Sequence, residues 1–128
     1  MKKIVLLSLI LFSFSLAGYA GTPFNKEKGI RKLILIHFKN GTTDKQIASI
    51  DSLARVVNSK VKAIHKLEWG KKMEENNATT QYDFCLMLEF KNATNFEIYQ
   101  QNPLRLQLMG KLIPLTDKIL NFTYSIDN

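Results

Sequence analysis

The sequence predicts a single α+β domain of element order β-α-β-β-α-β behind an export signal. Three observations carry that expectation. Two apolar runs, LILIHFK at residues 33–39 and YDFCLMLEF at 82–90, have the length and composition of strands. A capping pattern at Thr43 opens an amphipathic stretch, and Asn102-Pro103 opens a second one ahead of the alternating run ILNFTYSI at 119–126.

The first strand, Leu33 to Lys39, is apolar on both faces and is closed by the turn-forming pair Asn40-Gly41. In Thr43-Asp44-Lys45-Gln46 a hydroxyl and an amide stand three residues apart, the spacing at which each satisfies an unpaired N–H of a helix start. The helix that follows runs to Val57. Ile47, Ile50, Leu53, Ala54 and Val57 form one stripe, and Lys45, Ser49, Asp51, Ser52 and Arg55 face away.

Val61 to Trp69 alternates imperfectly and reads as a second strand ended by Gly70, and Lys71 to Gln81 is a polar, Asn-rich loop. In Tyr82 to Phe90, Tyr82, Phe84, Leu86, Leu88 and Phe90 share one face, while Asp83, Cys85, Met87 and Glu89 share the other. Asn92 to Gln101 reads as a short helix. Pro103 then sits in the first turn of the next, with Leu104, Leu108, Leu112 and Leu115 on one side. Pro114 and Thr116-Asp117-Lys118 end that segment, and Ile119 to Ile126 is the last strand.

This order is the ferredoxin-like arrangement of two split βαβ halves, whose helices cover one face of an antiparallel sheet. The uncovered face is expected to carry Cys85, Met87, Ile64 and one side of the first strand. That is too apolar to leave in water, so the reading implies a homodimer formed through the open sheet face.

Ahead of the domain, Lys2 and Lys3 precede an uncharged stretch from Ile4 to Leu16 and the small-residue sequence Gly18-Tyr19-Ala20. That is the pattern of a secretory signal peptide, too short for a membrane span. The expected organisation is a signal at 1–20, a flexible leader at 21–29 and one domain at 30–128. The protein is then exported, to the periplasm or the cell exterior, with no stable membrane span after cleavage. Cleavage removes two of the 18 basic residues and none of the 11 acidic ones, leaving a net charge of +5. No dense basic block is present, and export argues against a nucleic-acid partner.

A single cysteine, Cys85, excludes an intrachain disulfide and reads as buried and inert. The two histidines, His37 and His65, are too few for a metal site, and no phosphate loop, nucleophile elbow or paired-carboxylate signature occurs. No cofactor, metal or catalytic residue is assigned. Four residues are candidates for ligand binding. Arg105 falls in the first turn of a helix, where a guanidinium receives a carboxylate or phosphate. Tyr99 is a phenol at a helix end, and Trp69 is either a strand-end anchor or a pocket wall. Lys32 joins them through a family resemblance.

The segments IRKLILIHFKNGTTDKQI, LEWGKK, YDFCLMLEF and YQQNPLRLQL, in that order, resemble the stress-responsive A/B barrel (Dabb) family of dimeric α+β barrels. The resemblance covers residues 30 to 127. It implies the ferredoxin-like fold, sheet-to-sheet homodimers and a pocket between helices and sheet. A histidine that family members often carry just before the first strand falls on Lys32, and their His-Pro-x-His step becomes Asn102-Pro103-Leu104-Arg105.

In plant polyketide cyclases of this fold that step supplies a histidine base, assisted by a tyrosine slightly upstream and by a histidine early in the third strand. Tyr99 matches the tyrosine, but Arg105 replaces the base and Phe84 the other histidine. A guanidinium that stays protonated takes no proton at neutral pH. The resemblance therefore implies a non-catalytic module that binds a small hydrophobic or anionic ligand, or serves structurally. The alternative is a cofactor-free enzyme, cyclase-like or monooxygenase-like, acting on a hydrophobic carbonyl compound.

Overall fold

The computed structural model describes residues 27–75 and 80–127. The expected signal at 1–20 and most of the leader at 21–29 lie outside the described residues. The elements are β1 (Ile30–Phe38), α1 (Asp44–Lys60), β2 (Lys66–Lys71), β3 (Phe84–Phe90), α2 (Ala93–Gln100), α3 (Pro103–Leu112), a short 3-10 turn (Ile113–Leu115) and β4 (Thr116–Ser125). The strands form one antiparallel sheet in the order β2-β3-β1-β4. The ferredoxin-like arrangement is thus present, its second helical unit broken into α2 and α3.

Local chemistry accounts for the boundaries. Gly41 turns the chain out of β1 with φ 89°, a left-handed value that only glycine adopts without cost. The Thr43 hydroxyl accepts from the Gln46 N–H at 3.1 Å, and the Gln46 side chain accepts from the Thr43 N–H at 2.9 Å, closing the expected capping box. α1 buries Ile50, Ala54 and Val57. Along its outer side Arg55 bonds Asp51 one turn back, at 3.1 Å.

Several boundaries differ from expectation: α1 runs on to Lys60, β3 begins at Phe84 rather than Tyr82, and β4 begins at Thr116 rather than Ile119. β1 begins at Ile30 rather than Leu33, because Arg31 and Lys32 alternate faces like their apolar neighbours. β2 begins at Lys66 rather than Val61. Val61 closes α1, its N–H donating to the Val57 carbonyl, and Val61, Ala63 and Ile64 are buried in the turn that follows. Their burial imitates strand alternation, and Ile64 belongs to the helix-side core rather than to the open face. Gly70 lies within β2 instead of ending it.

The core fills the space between the helices and one sheet face. Ile34, Ile36 and Phe38 of β1, Leu86, Leu88 and Phe90 of β3, and Leu108 and Leu112 of α3 are all buried in it. Each such side chain contributes about 1.5–3 kcal/mol of transfer free energy. On the opposite face Leu33, Leu35, Cys85, Met87, Leu120 and Phe122 lie in register, and no helix or strand among the described residues covers them. Phe122 is 58% exposed and Leu120 45%. At the edge of this face Arg31 bridges Glu89 at 2.8 Å and Tyr124 at 3.0 Å.

The two ends of the domain meet. Ile30 pairs with Ser125, the Ile126 N–H donates to the Gly29 carbonyl, and Lys28 and Asp127 form an exposed ion pair. Among the described residues no helix is long and apolar enough to cross a membrane.

Candidate functional site

The alternation of β1 sends Arg31 and Leu33 to the open face and Lys32 to the helix-covered face with Ile34, Ile36 and Phe38. Lys32 is only 7% exposed, the one charged residue buried among the described residues. Its Nζ lies 3.5 Å from the Gln100 Oε1 and 5.9 Å from the centre of the Phe96 ring. Among the described residues no carboxylate pairs with it. Burial, and then the positive charge of Arg105, lower its pKa from the ordinary lysine value of 10.5.

The break between α2 and α3 brings Arg105 to the same place. α2 ends at Gln100, the Asn102 side chain accepts from the Leu104 N–H at 2.9 Å, and Pro103 occupies the first turn of α3. The new helix direction folds Arg105 back across the end of α2, where its Nη1 donates to the Gln100 carbonyl at 3.0 Å. Gln100 thus meets one cation through its side chain and the other through its backbone.

Tyr99 stands on the buried side of the same helix end. It is 1% exposed, and its ring packs against Phe90 with centres 5.1 Å apart. Its hydroxyl is buried and makes no hydrogen bond among the described residues. Burial pushes the phenol up to about 12, with the Arg105 charge pulling the other way. A proton donor held in its acid form, two cations and an amide therefore converge without an anion among them. Such a cluster suits a ligand carrying negative charge or a polarised carbonyl.

Lys32 and Tyr99 are buried, while Arg105 is half-exposed at the start of α3. Across the sheet Lys32 pairs with Thr123 and Ile34 with Asn121, so both β4 residues project from the helix-side face. Both are exposed.

Of the four candidate residues, the structure brings together Lys32, Tyr99 and Arg105. Trp69 lies two strands across and two register positions along from Lys32, on edge strand β2. There it stacks on Phe84 with ring centres 5.3 Å apart, beside Phe38. Trp69 also lines a separate open concavity of about 450 Å³ with Asp51, Arg55, Glu68 and Cys85. The charged pair there is already satisfied, Arg55 by Asp51.

Gln100 is the member that sequence reasoning missed, since nothing separates it from Gln101 in the run YQQN. The two histidines do not meet: His65 lies just ahead of β2, which β3 separates from β1, and His37 instead bonds Asp83 at 2.6 Å. Cys85 is half-buried on the open face rather than enclosed, and burial raises its thiol pKa. Among the described residues no group of three or more His, Cys, Asp or Glu side chains is placed to hold a metal ion.

The model of the stress responsive A/B barrel domain matches residues 30–126. The chain belongs to the Dabb family. Solved structures of similar fold include a hydroxynitrile lyase from Passiflora edulis, with a TM-score of 0.72 and 19% identity over 80% of this chain and 96% of that one. A dimeric ferredoxin-like protein of unknown function from Thermobifida fusca has a TM-score of 0.69 and 14% identity, over 82% and 97% of the two chains. A Dabb family protein from Mesorhizobium loti has 0.68 and 16%, over 80% and 100%. At these identities the likeness is one of fold. No curated protein matches this chain.

Proposed function

We propose that this Dabb protein is an exported, homodimeric binding module for small organic acids or carbonyl compounds with an apolar body. The single observation that carries the reading is the buried Lys32, without an ion-pair partner, beside Arg105 and the unbonded Tyr99 hydroxyl. A buried cation without a counter-ion costs stability, and an anionic ligand relieves that cost. The apolar surroundings, with Phe96 near Lys32 and Leu104 beside Arg105, suit an aromatic or aliphatic body. A hydroxynitrile lyase shares the fold, but here Arg105 stands where the family resemblance places a base.

Two further parts of the proposal have separate supports. Export rests on the basic, apolar and small-residue pattern of residues 1–20. Self-association rests on the open apolar sheet face and on neighbours described as dimeric.

Thermal melts with hydrocinnamate and octanoate test the binding reading. At a ligand concentration of about 100 times Kd the wild type gains about 2.7 kcal/mol, a shift of several degrees, and Arg105→Ala loses most of it. Equal shifts in both proteins, or none in either, would sink the assignment.

A further inference from the structure

We infer that Lys32 forms an imine with the carbonyl carbon of a small oxo acid whose carboxylate Arg105 receives. This rests on the binding reading above and narrows its ligand class from acids in general to acids that also carry a ketone or aldehyde.

The geometry assigns a different task to each group. Lys32 and Arg105 are both cations, yet they are not equivalent. Arg105 is half-exposed at the start of α3 and keeps its charge at any working pH, so it is the receptor for a carboxylate. Lys32 is enclosed, faces an amide and an aromatic ring rather than a carboxylate, and feels the Arg105 charge. Desolvation beside a second cation eases loss of the lysine's ammonium proton, the step that frees its nucleophilic lone pair. Its direction of titration agrees with that geometry.

Tyr99 completes the arrangement. Its hydroxyl is buried and unbonded, and it remains a donor because burial resists its ionisation. A carbonyl oxygen is an acceptor that the Tyr99 hydroxyl otherwise lacks among the described residues. In the step itself the Nζ lone pair attacks the carbonyl carbon and the π pair moves to oxygen, which takes a proton from Tyr99. Tyr99 recovers a proton from the nitrogen, and the oxygen leaves as water with the second nitrogen-borne hydrogen, forming the C=N bond. The amine and carbonyl are consumed and one water is released, with no oxidant or reductant.

Reductive trapping with the full chain tests the inference. The protein is incubated at neutral pH with phenylpyruvate and cyanoborohydride, which reduces an imine to a stable secondary amine, and the adduct is located by peptide mass spectrometry. Lys32 is expected to be modified several-fold faster than exposed lysines such as Lys45 and Lys60. Hydrocinnamate, which has the carboxylate but no carbonyl, should slow the reaction, and Arg105→Ala should lose the preference. Lys32→Arg retains the charge and should abolish the fast adduct, with Lys32→Met as a second variant should the arginine not be accommodated. Labelling spread over exposed lysines while carboxylates still stabilise the wild type would overturn the imine and leave the binding reading standing. Absence of both adduct and stabilisation would overturn the two together.

Discussion

Removing one oxygen from Tyr99 should make the protein more stable and less able to bind. In Tyr99→Phe the ring keeps its packing against Phe90, and only the unbonded hydroxyl is lost. A buried hydroxyl without a partner costs about 1–3 kcal/mol relative to one solvated in the unfolded chain. The phenol is neutral in both states at pH 7, since its pKa rises from 10.0 to about 12 on folding, so no ionisation confuses the comparison. Taking the lower end, Tyr99→Phe gains about 1 kcal/mol, or about 4–8 °C in Tm for a domain of this size. Urea denaturation at pH 7 with paired thermal melts measures it. The same variant should lose part of the stabilisation by phenylpyruvate. A Tyr99→Phe protein less stable than wild type by more than about 0.5 kcal/mol would show that the hydroxyl has a good partner, and the acceptor-seeking phenol would go with it.

Three other perturbations probe separate parts of the molecule. Phe122→Ala removes about 100 Å² of exposed apolar surface per copy; if a symmetric partner covers it, the loss is about 2 kcal/mol per copy and about 4 per dimer, a thousandfold in Kd by sedimentation, with the monomer fold unchanged. Lys32→Met should stabilise the free protein most at neutral pH. Because the native amine gives up its proton before the unfolded one does, wild-type stability rises with pH through the window ending near 10.5, and the advantage of Lys32→Met shrinks over the same range in a urea series. A constant advantage would refute the assigned titration. Thr43→Ala should cost about 1 kcal/mol in the same assay through loss of the α1 cap, and no loss would mean the capping box is not formed in solution.

The strands and helices that bury one clean face were legible from spacing alone. Thr43 and Gln46 announced α1, Pro103 announced α3, and the alternation of Phe84, Leu86, Leu88 and Phe90 named the buried face of β3. What failed to show was burial produced by something other than a strand. Val61, Ala63 and Ile64 are covered because the turn after α1 tucks under the helix, a tertiary cause that no two-residue period encodes. The early start of β4 was hidden for the opposite reason: Thr116, Asp117 and Lys118 belong to an edge strand, where polar residues meet water and leave no apolar signature. At the site, Arg105 and Tyr99 were visible as residue types at a helix break, and Lys32 only through its position in the family pattern. Their meeting at Gln100 depends on the angle between α2 and α3, and the unbonded state of the Tyr99 hydroxyl depends on what does not reach it. Neither is a property of local sequence.

The place of β1 between β3 and β4 also governs when the domain can exist during its own synthesis. The first strand made is hydrogen-bonded to the third and to the last, with Ile30 meeting both Phe90 and Ser125. Half of its ladder is therefore unpaired until almost the whole chain has emerged, and folding from the front is blocked by contacts that span nearly the whole domain. Loss of the final strand would not shorten the domain at one end; it would strip an entire flank from its central strand.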